Sequence, residues 1–214
     1  MSDQVREAVA SWLESVVVGL NLCPFAAPVL RADGVRIAVG EGETAEDGVQ
    51  LALEEAVRLL EDVDPSVSTT LVALPRGAED FERFLDIVAT VEEALEEAGA
   101  AGVLQVATFH PDYQFEGTEP EDVTNYTNRA PVPILHLLRE ADVEEAVDSH
   151  PDPEGIPERN MARLEELGLD CSFVNTGNVL LCENDWCRIA DFENPVLGVA
   201  PRQPKGLRKF LERG

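Results

Sequence analysis

Apolar side chains recur every three or four positions in three stretches of the chain, with polar residues between them. This spacing predicts amphipathic helices over residues 3–20, 44–62 and 79–98. The second helix opens with Thr44 and Asp47, which have the spacing of a capping box. Each predicted helix therefore has one apolar face to bury against the rest of the domain.

Shorter apolar segments separate these helices and have the alternation or the β-branched content of strands. They predict strands at residues 34–39, 69–74 and 103–109. The order is then a helix followed by β-α-β-α-β, and strand-helix-strand connections of this length allow parallel crossovers. The predicted fold class is α/β with a layered core, and an antiparallel α+β sheet is the alternative.

Two further helices are predicted after the third strand. One starts near Pro131 or Pro133 and continues past Arg139, through a leucine-rich segment. The other covers about residues 157–167, where Pro157 suits the first turn of a helix. These C-terminal helices complete one compact predicted domain.

From Leu169 onward the pattern changes. Three short apolar segments, CSFVNTG, NVLLCEN and WCRIADF, are separated by turn residues, which predicts a small β-meander. Residues 201–214 hold five Lys or Arg against one Glu, so this end carries a charge of +4. We therefore expect an α/β domain over residues 1–168 and a β-rich extension with a basic end over residues 169–214.

The net charge of the chain limits which classes of partner are expected. The 214 residues include 42 Asp and Glu against 16 Lys and Arg, a net charge of −26. Because this charge repels phosphate backbones and anionic headgroups, neither nucleic acid nor a membrane is an expected partner. The first residues lack the pattern of a secretory signal, and four unevenly spaced cysteines suit a reducing compartment, so we expect a cytoplasmic protein.

All three histidines and both tyrosines fall within residues 110–150, a window that begins where the third predicted strand ends. Loops at the carboxyl ends of strands are where α/β sheets place their ligands. We therefore predict a catalytic site that includes His110, Asp112 and Tyr113, with His110 as general base or metal ligand. Asp122 is an alternative to Asp112 as the acid that orients His110.

The tripeptide His-Pro-Asp occurs twice, at residues 110–112 and 150–152. In each copy the proline favours an extended or turn geometry, and a carboxylate two positions from an imidazole can orient it for proton transfer or metal binding. The alternative is a structural turn in which the aspartate hydrogen-bonds to backbone groups. Both interpretations stand for each copy.

The segment NYTNR supplies two amides, a phenol and a guanidinium, carried by Asn125, Asn128, Tyr126 and Arg129. These groups can fix a carboxylate or a phosphate, so they are predicted to bind a small anionic substrate. The alternative is a loop that its Asn and Thr side chains staple to its own backbone.

Two candidates lie apart from this loop. His136 falls in the leucine-rich helix predicted above, where a buried and hydrogen-bonded histidine is the ordinary role and a catalytic or ligand role is the alternative. Cys23 follows the end of the first helix and precedes a proline. An inert buried thiol is expected there, with a reactive thiolate or a haem ligand as the alternative.

Three segments together resemble a known family: LNLCPFA at 20–26, LQVATFHPDYQFEGTEPEDVTNYTNRAPVPILHLLREA at 104–141, and IPERNMARLEELG at 156–168. They resemble the bacterial family named domain of unknown function 1415, over roughly residues 5–168. The resemblance implies a stand-alone cytoplasmic bacterial domain and no assigned function. The β-rich segment after Leu169 departs from the family pattern.

The first functional expectation is an enzyme that acts on a small anionic molecule through the polar residues after the third strand. His110→Ala should then abolish turnover while changing the melting temperature by only a few degrees. One alternative is a non-catalytic binding or assembly module whose acidic surface meets a basic partner. Another is a carrier of a divalent metal or haem that uses Cys23 or the histidines.

Overall fold

The computed structural model describes residues 1–166, together with the backbone of two strands at 178–183 and 186–191. A π-helical turn at Leu13–Val18 continues the first helix, and a 3-10 turn at Val123–Asn128 precedes the fourth strand. In chain order, the described helices and strands are α1 (Ser2–Trp12), α2 (Ala26–Arg31), β1 (Val35–Val39), α3 (Ala45–Leu60), β2 (Thr69–Ala73), α4 (Phe81–Glu97), β3 (Leu104–Phe109), β4 (Ile134–Arg139), α5 (Glu140–Ser149), α6 (Ile156–Glu166), β5 (Asn178–Glu183) and β6 (Trp186–Asp191).

The predicted order of a helix followed by β-α-β-α-β is confirmed, except that a short helix, α2, which was not predicted, precedes β1. The capping box of α3 forms as predicted: the Asp47 N–H donates to Thr44 Oγ1 at 3.2 Å, and the Thr44 N–H donates to the Asp47 carboxylate at 3.1 Å. These bonds satisfy donors that the first turn of a helix leaves without intrahelical acceptors. Local sequence therefore determines where α3 begins.

The main sheet has four strands in the order β1-β2-β4-β3. β1 and β2 are parallel, while β4 is antiparallel to both of its neighbours, β2 and β3. The sheet is thus mixed, and β3 is separated from β2 by a strand that comes later in the chain. The α/β fold class is confirmed.

The predicted helix from Pro131 or Pro133 past Arg139 is wrong. Residues 134–139 form β4, and the helix α5 begins only at Glu140. The error has a physical origin, because a central strand that is covered on both faces carries a continuous apolar run that periodicity cannot distinguish from a buried helix.

Helices cover both faces of the sheet. On one face, Phe84 of α4 belongs to the same buried cluster as Leu135 of β4, and both side chains are 0% exposed. On the other face, Trp12 of α1 shares a buried cluster with Ile134 of β4. β4 therefore contributes to two separate cores.

A second, two-stranded sheet is formed by β5 and β6, which pair antiparallel. These are two of the three strands of the predicted meander. The first, CSFVNTG, lies outside the described residues, as do the predicted domain boundary at 168 and the basic residues 201–214. Among the helices of the described ranges, none has both the length and the apolar content needed to cross a bilayer.

Candidate functional site

His110 lies directly after β3 and is 0% exposed. Its Nδ1 accepts the N–H of Asp112 at 3.0 Å, and its Nε2 is 3.1 Å from the carbonyl oxygen of Ala78. Because a carbonyl can only accept, Nε2 carries the proton and the imidazole is neutral. Burial lowers the pKa of His110, which favours the same neutral form.

Both His-Pro-Asp segments fold into the same turn. In the second copy, the Asp152 N–H donates to His150 Nδ1 at 3.1 Å, as the Asp112 N–H does to His110. In both copies it is the backbone N–H of the aspartate that contacts the imidazole. This repetition is the geometry expected of a structural turn. A general-base role for His110 stays a prediction, and it would require the Asp112 N–H to leave Nδ1.

His136 lies on β4 rather than on a helix, and its ring packs near Phe109. Its Nε2 is 2.7 Å from Thr69 Oγ1, and that hydroxyl donates to the Leu137 carbonyl at 2.6 Å. The single hydroxyl proton is thus used, so Nε2 must donate to Thr69. Burial lowers the pKa of His136 to about 4.

The two histidines lie on opposite faces of the sheet. His110 contacts Phe81 and Phe84 of α4, at ring centroid distances of 5.1 and 5.2 Å. His136 instead lies beside Phe109, whose ring meets Trp12 of α1 at 5.2 Å. The structure therefore does not bring the predicted catalytic residues His110 and His136 together in one site.

We use the name polar loop for residues 110–133, which connect β3 to β4. Asn125 is 0% exposed at its centre. Its side-chain oxygen accepts the Phe115 N–H at 2.9 Å, and its Nδ2 donates to the Glu119 carbonyl at 2.8 Å. The Thr118 hydroxyl lies 2.9 Å from the Asn125 oxygen and shares its proton between that oxygen and the Phe115 carbonyl at 2.7 Å. Asn125 thus ties together three separate points of the loop.

Asn128 holds the base of the polar loop against β3. Its Nδ2 donates to the Thr108 carbonyl at 3.0 Å, and its own carbonyl accepts the His110 N–H at 3.1 Å. Asp122 caps the 3-10 turn, and its carboxylate accepts the N–H and the hydroxyl of Thr124 at 2.9 and 2.7 Å. These hydrogen bonds lower the pKa of Asp122.

Arg129 completes the internal network of the polar loop. Its guanidinium carbon lies 4.2 Å from the centre of the ring of Tyr126, which is buried. Its Nε and Nη2 donate to the carbonyls of Tyr113 and Pro120 at 3.3 and 2.7 Å. The side chains predicted to clamp an anion are therefore used largely on the loop's own backbone, and the substrate-binding role stays a prediction.

An aromatic ladder runs from the core to the outer edge of the polar loop. It begins at Phe84 and His110, continues through Phe81 to Tyr113 at 5.4 Å, and ends where Tyr113 meets Phe115 at 4.9 Å. Phe115 is 37% exposed. Sequence reasoning missed this feature, although the alternation of Tyr113 and Phe115 in an otherwise polar segment is its visible signal.

Cys23 and the other metal candidates form no recognisable centre in the described part of the chain. Burial raises the pKa of Cys23, against the lowering effect of hydrogen bonds from the N–H groups of Phe25 and Ala26. Within the described ranges, no three His, Cys, Asp or Glu side chains are arranged to hold a metal ion. The side chains of Cys171, Cys182 and Cys187 lie outside those ranges. The carrier alternative stays a prediction.

Fold and site together define a small mixed α/β domain with a self-stapled polar loop at one end of its sheet. The chain belongs to the family described as a protein of unknown function, DUF1415, whose family model matches residues 4–172. No curated protein and no solved structure matches the chain. The family assignment confirms the resemblance of the sequence segments and adds no chemistry of its own.

Proposed function

We propose that the protein is a non-catalytic binding module that recognises a basic partner through the outer edge of the polar loop. The observation that carries this proposal is which side chains of the polar loop are hydrogen-bonded internally and which face solvent. Its amides, its arginine and His110 are hydrogen-bonded to backbone, while its aromatic edge faces solvent at Phe115. The partner-binding capacity of the loop therefore rests in aromatic surface and exposed carboxylates.

The aromatic edge is held rigidly. Phe115 rests edge-on against Tyr113, which in turn contacts Phe81 on α4. Asn125 also fixes the backbone of Phe115 by accepting its N–H. A preordered aromatic side chain loses little conformational entropy when a partner covers it, which is a property of interface hot spots.

Carboxylates surround this edge. Asp112, Glu116, Glu119 and Glu121 are all exposed, and the whole chain carries a charge of −26. A Lys or Arg side chain of a partner can stack on an aromatic ring and pair with a neighbouring carboxylate. These features favour a basic partner over the small anion expected from the NYTNR segment.

The proposal is tested with a labelled synthetic peptide of residues 201–214 and with an unrelated arginine-rich peptide, in fluorescence anisotropy titrations. We expect binding that weakens as salt is raised, because exposed charge contacts are screened. Phe115→Ala should weaken binding by about tenfold or more. The matched control is Leu85→Ala, which removes another exposed apolar side chain, on α4, and should leave binding unchanged.

Equal affinities of Phe115→Ala and Leu85→Ala would show that the polar loop is not the recognition surface. If neither peptide binds at low salt, the basic-partner proposal is wrong and the enzymatic prediction gains weight. A bacterial, cytoplasmic setting is part of the proposal, because few and scattered cysteines suit a reducing compartment.

A further inference from the structure

A cavity of about 70 Å³ lies at the opposite end of the sheet from the polar loop. Three of the chain's 14 arginines line it, Arg36 near the start of β1, Arg58 on α3 and Arg139 at the end of β4. β4 separates the two regions by its six residues, roughly 17 Å of extended chain. Carboxylates lie beside these arginines: Glu55 beside Arg36 and Arg58, and Asp62 and Asp142 beside Arg139.

Arg139 has a structural role, because both of its terminal nitrogens already donate hydrogen bonds within the fold. Nη1 donates to the carbonyls of Val67 and Ser68, each at 3.1 Å. Nη2 donates to the Leu59 carbonyl at 2.9 Å and to the Asp62 carboxylate at 3.0 Å. These bonds fasten the connection between α3 and β2, so Arg139 has little capacity left for a ligand.

Arg36 and Arg58 share a single carboxylate. Arg36 binds Glu55 through Nε at 2.6 Å and Nη2 at 3.0 Å, whereas Arg58 Nε lies 3.9 Å from Glu55. Among the described residues, the Arg58 guanidinium and the Nη1 of Arg36 form no hydrogen bond. Their side chains are 52% and 41% exposed, so an ion can reach them from solvent.

Thr70 adds an unused donor to the lining of the cavity. It is 1% exposed, it lines the cavity, and it pairs with Arg36 across β1 and β2. Its hydroxyl has no hydrogen-bond partner in the part of the chain that the structure describes. Among the described residues, the fully enclosed side-chain polar atom without a partner is Arg76 Nε, so the Thr70 hydroxyl is not fully enclosed and can donate to a ligand or to water.

We propose that this cavity binds a small oxyanion. Arg58 and the Nη1 of Arg36 would donate to it from one side and the Thr70 hydroxyl from the other. The volume is several times the roughly 10–15 Å³ that one water molecule needs, which leaves room for an ion of a few heavy atoms. Asp64 also lines the cavity, and with Glu55, Asp62 and Asp142 it offsets the charge of the three arginines. An anion would therefore be held by the unused N–H and O–H donors rather than by net charge, which favours a singly charged anion.

The experiment titrates acetate and inorganic phosphate separately into the protein, with sodium chloride used to hold ionic strength constant. The readouts are the melting temperature and isothermal titration calorimetry. At a ligand concentration about ten times Kd, we expect the melting temperature to rise by about 3–5 °C. A response to acetate alone identifies a carboxylate ligand, a response to phosphate alone identifies a phosphate, and a response to both identifies a general oxyanion site.

Variants separate this site from non-specific salt effects. Thr70→Val should melt at or above the wild-type temperature without anion, since it removes an unpartnered hydroxyl, yet it should lose most of the anion-dependent rise. Arg58→Gln should also lose most of the rise. The matched control Arg83→Gln changes an arginine on α4 that does not line the cavity, and it should keep the full rise.

The proposal is overturned if neither anion exceeds the effect of chloride, or if Thr70→Val and Arg58→Gln keep the wild-type response. It is also overturned if Thr70→Val melts well below wild type without anion, because the hydroxyl would then have a partner within the fold. The inference does not depend on the proposed binding function, since the peptide titrations probe the other end of the sheet.

Discussion

The two ends of β4 hold polar side chains in different states of hydrogen bonding. At its start, the polar loop uses both ring nitrogens of His110 and both polar atoms of the Asn125 side chain on backbone and loop partners. Near its end, the side chains of Arg58 and Thr70 form no hydrogen bond among the described residues, although both line a cavity. The loop holds more of the residue types associated with chemistry, but the cavity holds more unused donors.

This difference teaches that residue type alone is a weak guide to a site. A buried polar group that is fully hydrogen-bonded contributes to the fold, and a ligand can use it only by breaking an existing bond. A donor left over after internal bonding can bind a ligand at little cost to the fold. By this criterion the polar loop is structural and the arginine cavity is a ligand site, and both assignments can be tested.

The largest loss of stability is expected for His110→Ala. The substitution leaves a cavity beside Phe81 and Phe84 and removes the partners of the Asp112 N–H and the Ala78 carbonyl. We expect a loss of about 3–4 kcal/mol in the free energy of unfolding, and a fall of roughly 6–15 °C in melting temperature. Urea unfolding followed by circular dichroism measures the change.

The matched control is His150→Ala, which truncates the histidine of the other His-Pro-Asp turn. His150 is only partly buried, so its loss should cost much less stability. If His110→Ala instead melts within a few degrees of wild type, His110 is not a structural group. The catalytic expectation from the sequence would then be the better description of the polar loop.

A pH effect of nearly the same size is expected from His136, which lies outside both regions. Its pKa is lowered to about 4 by burial, whereas the unfolded chain takes up this proton near pH 6.5. The contribution of neutral His136 to the free energy of unfolding is therefore fully present above about pH 6.5 and is lost as the pH falls towards 4. The loss attributable to His136 should reach about 3 kcal/mol between pH 7 and pH 4.

The measurement compares urea midpoints of wild type and His136→Gln across that pH range. The variant should lose stability less steeply, because glutamine offers Thr69 a donor without titrating. Gln114→Ala, which changes an exposed side chain that does not titrate, serves as the control and should follow the wild-type curve. Parallel curves for wild type and His136→Gln would mean that the pKa of His136 is not lowered in the folded protein.

Asn125→Ala should have the next largest effect. It removes the acceptor of the Phe115 N–H and of the Thr118 hydroxyl, together with the donor to Glu119, at a fully buried position. We expect a loss of about 2 kcal/mol and weaker binding of the basic peptides, because the backbone of Phe115 is no longer fixed. Gln114→Ala, an exposed amide in the same loop, should change neither quantity by much. Equal effects of the two variants would show that the loop is not stapled by Asn125.

The parts of the fold that depend on local sequence were predictable. Thr44 and Asp47 place the start of α3 by themselves, and β1 and β2 follow from short apolar segments between amphipathic helices. The position of β4 was not predictable in this way. Its residues are apolar because both faces are covered, and that pattern also fits a buried helix until its partners β2 and β3 are known.

The location of the polar loop was likewise predictable, because the histidines and tyrosines cluster after β3. What that loop does depends on contacts distant in sequence, such as the bond between His110 and Ala78. The separation of His110 from His136 follows from the sheet order, which no local pattern contains. The arginine cavity was missed for the same reason, since Arg36, Arg58 and Arg139 meet only in the folded sheet.

The smallest expected effect gives the most direct test of the loop's role. Asp112 contacts His110 through its backbone N–H, which Asp112→Asn preserves, and its side chain is exposed. The free energy of unfolding should therefore change by no more than about 0.5 kcal/mol. Because the charge of the Asp112 carboxylate raises the pKa of His110, Asp112→Asn should lower that pKa whichever role His110 has. The tautomer of the imidazole, measured by ¹⁵N NMR, separates the two roles: a carboxylate that orients His110 for proton transfer would have to accept a proton from Nδ1, whereas here Nδ1 accepts the Asp112 N–H. An imidazole that carries its proton on Nε2 would support a neutral, structural His110 and leave the aromatic edge as the binding surface of the loop.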